Sequence, residues 1–356
     1  MKRSKHWLTT LAVIATLALL RGLASALPKP ISACGITINV PGAYVVTANL
    51  TAISTSAPCI LVTVQGVTID LGGFVLAGKG GGVGIAGAAN FLSISNGVIR
   101  SFNVGINAIV DAVRLSEVTL AGDGTGAALR DNAQVADSKF LNNGADGLDV
   151  RINALITHCT FVGNGGVSGG DGLDAAGTGA VVTESVASNN IAKGPNFNGA
   201  GVLAGGNATL TGNAASGNAI GFADHVGGST FVGNTGSSST GDGFQTFGGA
   251  SFNPGACVLI GNSAVGDGFG GFDDLGGSTF EANTADLNKA DGFREGGSPV
   301  EAGSNLVYNT ADSNDGYGFL ADCPSGNYVG NIAEDNSTGG FFANPGGCNN
   351  QNNLGF

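Results

Sequence analysis

Residues 125–140, TGAALRDNAQVADSKF, align without a gap on residues 146–161, DGLDVRINALITHCTF. The offset is short, and it continues down the chain. A glycine followed by a large apolar residue recurs at Gly147-Leu148, Gly172-Leu173, Gly201-Val202, Gly221-Phe222, Gly243-Phe244, Gly268-Phe269, Gly292-Phe293 and Gly340-Phe341, mostly in steps of 21 to 29 residues. Asparagines recur in phase at Asn143, Asn164, Asn190, Asn213, Asn234, Asn262, Asn283, Asn309 and Asn331. Between the markers lie short runs with period-two alternation, such as Val135 to Phe140, the pattern of half-buried strands. A coil of some two dozen residues cannot close a core alone. Stacked on copies of itself, it hydrogen-bonds to the next coil and buries its inward side chains.

Composition points the same way. Glycine supplies 64 of 356 residues, 42% of the chain is apolar and only 11% is charged, which excludes ordinary disorder. Nine prolines and no three-residue glycine period exclude collagen. Good helix formers are sparse. The expected turns need φ > 0, which Gly and Asn take most readily, and this accounts for the phased Asn and Gly without a ligand. Leu148, Leu173, Val202, Phe222, Phe244, Phe269, Phe293 and Phe341 are expected to stack as one inward column, and Phe140, Phe161, Phe231 and Phe280 as a second. The net charge of −12 makes nucleic acid an improbable partner.

Residues 1–26 read as a signal peptide: Lys2, Arg3 and Lys5, an apolar run from Leu8 to Leu20, and a small-residue cleavage site at Ala24-Ser25-Ala26. Cleavage after Ala26 removes four basic residues and leaves a charge of 10 − 26 = −16. No other segment is long and apolar enough to span a membrane, so the mature protein is expected to be secreted, periplasmic or on the cell surface. Residues 27–356 form one expected domain, with first coils at about 34–75 and terminal coils at about 315–356.

The opening Cys34-Gly35-Ile36, Pro41-Gly42-Ala43-Tyr44 and Val67-Thr68-Ile69-Asp70-Leu71-Gly72-Gly73 resembles the first coils of exported bacterial proteins of the right-handed parallel β-helix family, the pectate-lyase-like superfold. The resemblance runs from about Ile36 to the C-terminus. It implies an all-β solenoid of about 13 coils and a partner that is a polysaccharide or a cell-surface glycan, bound or processed along the long face. The alternative is a non-catalytic adhesin-like or matrix protein whose rod is itself the product. Were the chain an enzyme, the resemblance would suggest a lyase, hydrolase or epimerase, yet the Arg-x-Pro-x-x-Arg, Gly-His-Gly and Asp-Pro-His patterns of such relatives are absent. No catalytic residue carries over.

Charge chemistry therefore has to be read from the coils themselves. Arg130 and Arg151 fall in one outward column, Asp149 and Asp174 in another, and Asp137, His158 and Glu184 align on the next face with Lys139 close by. An arginine for a sugar carboxylate and paired carboxylates for acid–base work are the ingredients of glycan chemistry. From these the expected catalytic group is Asp149, Arg151, Asp174, Lys139 and His158, with Arg130, Asp137 and Glu184 binding substrate. The competing reading is charge that solubilises a sheet face. The recurrent Asp before Gly admits calcium or a turn residue capping its own backbone, so calcium is the one cofactor that the sequence leaves open and no metal ligands are assigned. Six cysteines in an exported chain allow 15 pairings. Cys34 and Cys59, like Cys323 and Cys348, lie one coil apart, which suits disulfides between stacked coils at the two ends. Cys159 and Cys257 stand five residues before Asn164 and Asn262 and are expected as buried free thiols in a shared inward column.

Overall fold

Each coil lays down three short strands whose alternate residues point inward, and parallel pairing with the next coil stacks like on like. The computed structural model describes residues 27–355 except 167–168, 192–198, 247–255, 275–276, 297–302, 322–325 and 344–347. The expected signal peptide lies outside the described residues. The chain is a single-stranded right-handed parallel β-helix of about 13 turns, with no helix among the described residues. A 14-stranded sheet, from Ile36–Ile38 to Gly339–Ala343, forms the first face. A 26-stranded sheet supplies the second face (Gln134–Ala136, Leu155–Thr157 and their successors) and the third (Lys139–Leu141, Thr160–Val162 and theirs), because the chain turns between these two within two residues.

The first inward column forms largely as expected. Leu148, Leu173, Val202, Phe222, Phe244, Phe272, Phe293, Phe319 and Phe341 pair in register. Its rings stack with centroids 4.9, 4.8, 4.7 and 4.9 Å apart from Phe222 to Phe319, the spacing of the strands themselves. Phe269 is not in the column. Asp267-Gly268-Phe269 mimics the marker, but the equivalent of Gly243-Phe244 is Gly271-Phe272, and Phe269 is 47% exposed. The proposed second aromatic column also divides. Phe140 and Phe161 stack on the third face at 5.0 Å, whereas Phe231 and Phe280 sit on the second face and meet the first-face rings edge-on.

That division has one cause, a jump between two asparagine ladders. Asn143, Asn164 and Asn190 continue through Asn218, Ser239, Asp267, Asn288, Asn314 and Asn336 at the corner between the third and first faces. Asn213, Asn234, Asn262, Asn283, Asn309 and Asn331 follow Ser185 at the corner between the second and third. Both ladders are buried except at Asn336, which is half-buried. Wherever asparagine follows asparagine, the Oδ1 accepts the N–H and Nδ2 of the coil before it. Its own Nδ2 donates to the next Oδ1 and to a main-chain carbonyl, as Asn164 does to Asn190 at 3.0 Å and to the Phe140 carbonyl at 3.0 Å. Left-handed backbone belongs to the residue before the ladder instead: Asn142 at φ +53°, Gly163 at +68°, Gly212 at +64°. The marker glycines are needed for space. A Cβ on Gly172 would lie 2.7 Å from Asn190 Nδ2, and one on Gly271 would lie 2.8 Å from Asn288 Nδ2.

Cys34 and Cys59 form a disulfide across the first two coils, with Cα atoms 4.3 Å apart. Cys348 is disulfide-bonded, and its expected partner Cys323 lies outside the described residues. Cys159 and Cys257 are buried and unpaired. They do not share a column: Cys159 stands with Ser138 and Ser185, Cys257 with Ser229, Ser278 and Ser304 at the corner between the first and second faces.

Candidate functional site

On the first face alternation turns Leu148 and Val150 inward and Asp149 outward. Register then builds an outward column of Ala128, Asp149, Asp174, Leu203, Ala223, Gln245, Asp273 and Arg294. Three residues upstream, before each marker glycine, runs a second column that contains Asp146, Asp171, Ala200, Ile220, Asp242, Gly270 and Asp291. Its aspartates cap the neighbouring coil, not their own. Asp146 Oδ1 accepts the Asp171 N–H at 2.8 Å, Asp171 the Ala200 N–H at 2.7 Å, Asp242 the Gly270 N–H at 2.8 Å and Asp291 the Tyr317 N–H at 2.8 Å. The other two Asp-Gly aspartates differ: Asp267 lies in the inner ladder, and Asp315 pairs on the surface with Lys289 at 3.3 Å.

Two acidic groups result. In the first, Asp146, Asp171 and Asp174 bring carboxylate oxygens within 4.8 Å of one another, with Asp149 beside them. Burial first, then mutual repulsion, pushes Asp171 up to about 7 and Asp149 up to about 6. Three oxygens, one of each capping pair already spent on an N–H, are a small share of the six to eight a calcium ion takes. Arg151 Nε stands 3.8 Å from Asp149 Oδ1. A buried apolar cluster of Ala200, Leu203, Ile220 and Ala223 separates this group from the second.

The second group lines a cavity of about 570 Å³ walled by Ala219, Ile220, Thr240, Gly241, Asp242, Gln245, Phe269 and Asp273. Asp242 is only 5% exposed, and burial, then the Asp273 charge, push it up to about 7. Burial also raises Asp273, while the Arg294 guanidinium opposes the shift from 3.8 Å. That guanidinium lies 5.8 Å from the centre of the exposed Phe269 ring. A carboxyl that keeps its proton near neutrality beside a carboxylate steadied by arginine is the pairing that general acid–base chemistry on a glycosidic bond uses.

The residues singled out from the sequence do not converge. Asp149, Arg151 and Asp174 share the first face, with Arg130 exposed one coil below Arg151. Asp137, His158 and Glu184 stack as expected, but at the corner between the second and third faces, in left-handed backbone at φ +51°, +51° and +50°. There His158 Nε2 meets Glu184 Oε2 at 2.6 Å. Lys139 points outward from the third face. Gln245, Asp273 and Arg294 were not singled out, Phe269 was expected in the core column, and Asp242 was read only as one of the recurrent Asp-Gly aspartates. The available signal was the doubled Gly-Phe of Asp267-Gly268-Phe269-Gly270-Gly271-Phe272, where one aromatic had to leave the core.

No protein-family model matches the chain, and no curated protein matches it. Among solved structures, it is similar to a double mutant of the periplasmic alginate epimerase AlgG at 12% identity, with 85% of this chain and 79% of that one covered and a TM-score of 0.46. The A-module of the Azotobacter vinelandii mannuronan C-5 epimerase AlgE4 aligns at 13% identity over 82% of this chain and 89% of its own, with a TM-score of 0.47. The catalytic domain of a GH87 alpha-1,3-glucanase in complex with nigerose aligns at 14% identity over 87% and 60%, with a TM-score of 0.42.

Proposed function

We propose that this is an exported protein that binds a polysaccharide along its first face, with the cavity at Asp242 and Asp273 as the centre of the site. One observation carries the reading: an exposed aromatic ring, a side-chain amide and two carboxylates converge on one concave pocket of the outer sheet. A sugar ring offers apolar C–H faces to an aromatic and hydroxyls to carboxylates and amides, so these groups suit it together. The straight sheet extends the site over successive coils at about 4.8 Å each, the geometry for an extended chain. Cleavage of a bound glycan would fall to Asp242 as proton donor and Asp273 as its charged partner. Export is supported by the Cys34–Cys59 disulfide, which fits an oxidising compartment. No helix among the described residues is long and apolar enough to cross a membrane.

The test is a panel of neutral, amino and uronate polysaccharides, followed by affinity electrophoresis and by reducing-end and unsaturated-product assays. Phe269→Ala should weaken any binding by about 3- to 10-fold, the worth of one aromatic contact. If no glycan binds, the rod reading takes its place.

A further inference from the structure

The cavity walls carry a strong charge imbalance. Asp242 and Asp273 face into it, and Asp291 stands one coil beyond Asp273. Among the described residues the cation beside them, Arg294, already leans on Asp273 at 3.8 Å and on the Phe269 ring. Asp242 spends Oδ1 on the Gly270 N–H, and among the described residues no hydrogen bond reaches its other oxygen. Asp273 Oδ1 is buried with no hydrogen bond and faces Arg294 Nε at 3.8 Å, while the Gln245 side chain bonds the carboxyl. Gln245 adds an amide between them. The pocket thus offers acceptors and negative charge, and among the described residues that line it there is no cation to receive an anion. Buried acceptors left unmatched are costly, so a ligand that supplies N–H donors and positive charge gains most. A ligand carboxylate would be desolvated against like charge. Further along the same face Asp146, Asp149, Asp171 and Asp174 repeat the imbalance, and Arg151 there is drawn to Asp149.

Building on the glycan-binding reading, we propose that the cavity selects an amino-sugar polymer with free ammonium groups, received by Asp242 and Asp273, and rejects polyuronates. An ammonium has three donors and no acceptor, which matches the second Asp242 oxygen, Asp273 and the Gln245 carbonyl oxygen, and its charge favours the ionised form of Asp242. Phe269 and Ile220 take the apolar face of the sugar.

The probes are glucosamine oligomers, the same oligomers fully N-acetylated, oligouronates and oligolysine of equal charge, titrated calorimetrically into the mature protein in EDTA. The amine oligomer should bind at least about tenfold tighter than its acetylated form at about 50 mM salt, and that advantage should shrink several-fold at about 500 mM, where screening is short-ranged. Oligouronates should not bind measurably. The variant Asp242→Asn/Asp273→Asn should lose the amine advantage, the ratio of amine to acetylated affinity falling to about one whatever the acetylated affinity becomes. Asp273→Asn alone serves if the double variant does not fold. Equal binding of the acetylated or uronate oligomers overturns the proposal, as does an amine advantage that survives the substitutions. Binding of oligolysine as tight as the amine sugar, unaffected by Phe269→Ala, also overturns it by showing mere attraction to an acidic surface. If no saccharide binds at all, the glycan-binding reading itself has failed.

Discussion

Asp267→Asn should stabilise this protein, and the gain should depend on pH. Asp267 is fully buried in the asparagine ladder between Ser239 and Asn288. Its Oδ1 accepts the Ser239 N–H at 2.7 Å, as every ladder Asn does, but its Oδ2 has no hydrogen-bond partner. One coil further on the equivalent atom is Asn288 Nδ2, donating to the Ala264 carbonyl at 3.3 Å and to Asn314 Oδ1 at 2.9 Å. A carboxylate oxygen in that place looks at acceptors, and burial pushes the group from 3.8 to about 6. Below pH 3.8 both folded and unfolded chains hold the proton and there is no penalty. Between 3.8 and 6 only the folded chain holds it, so stability falls as pH rises, and above 6 the full loss is present. About two units at about 1.4 kcal/mol each give about 3 kcal/mol. For a folded array of about 330 residues that is a rise in Tm of about 4 °C at pH 8, fading to near zero at pH 3.5. Thermal unfolding followed by circular dichroism at both pH values measures it. Equal Tm values at pH 8, or the same gap at both pH values, would refute the ladder argument.

Asp123→Asn should behave alike with a larger gain at pH 8, since Asp123 stands at the head of the same ladder, has an unpartnered Oδ2 and is pushed up to about 7; the same melts decide it. Gly271→Ala should cost about 3 kcal/mol because the new Cβ meets the Gly292 carbonyl oxygen at 2.7 Å, whereas Gly261→Ala, strained at φ +62° but with open space around it, should cost about 1 kcal/mol, a difference that denaturant titration resolves. Denatured, unreduced protein should titrate two thiols, from Cys159 and Cys257, and Cys34→Ser should lower stability by roughly 3 kcal/mol for its 25-residue loop. Calcium at millimolar levels should leave the melting of the wild type unchanged, because Asp146, Asp171 and Asp174 bring together only three carboxylate oxygens against the six to eight that calcium takes; a rise in Tm that Asp171→Asn abolishes would show a bound cation there.

The architecture was legible because stacking makes every coil solve the same problem. On most first-face strands a large apolar residue follows a glycine at the start, and Leu148 through Phe341 display it in order. Register was legible only in part. Both ladder corners call for asparagine, and they stand five residues apart, as Asn213 and Asn218 or Asn309 and Asn314 do. A run of asparagines can therefore pass from one ladder to the other without breaking its apparent period. Coil length hides the outward columns further. Asp174 and Leu203 are neighbours across 29 residues, but Leu203 and Ala223 are neighbours across 20. Neighbours across coils of such unequal length cannot be found by a fixed offset. This is why the shared offset from Gly147-Leu148 and Gly172-Leu173 put Asp149 and Asp174 in one column, as the register does, while Gln245, Asp273 and Arg294 were left unread.

The acidic face also shows why an aspartate column alone does not define a site on this fold. Asp146, Asp171, Asp242 and Asp291 all donate their place to the same structural task, accepting the first N–H of the next first-face strand. Where Ala200 and Ile220 take that position, the strands Ala200–Ala204 and Ile220–Asp224 still pair in register, so the cap stabilises the coil without being required for it. Selection on the outward side is thus free to keep or discard the charge. What sets Asp242 apart is its surroundings. Its capping oxygen is spent on Gly270 as in the other coils, but the displaced Phe269 and the outward Asp273 wall a cavity against its second oxygen. The extra Gly-Phe that removes Phe269 from the core is the same feature that places an aromatic ring beside the carboxylates. The irregularity in the repeat and the candidate site are therefore one event in the sequence, and the most informative place to search a solenoid of this kind is the coil whose marker occurs twice.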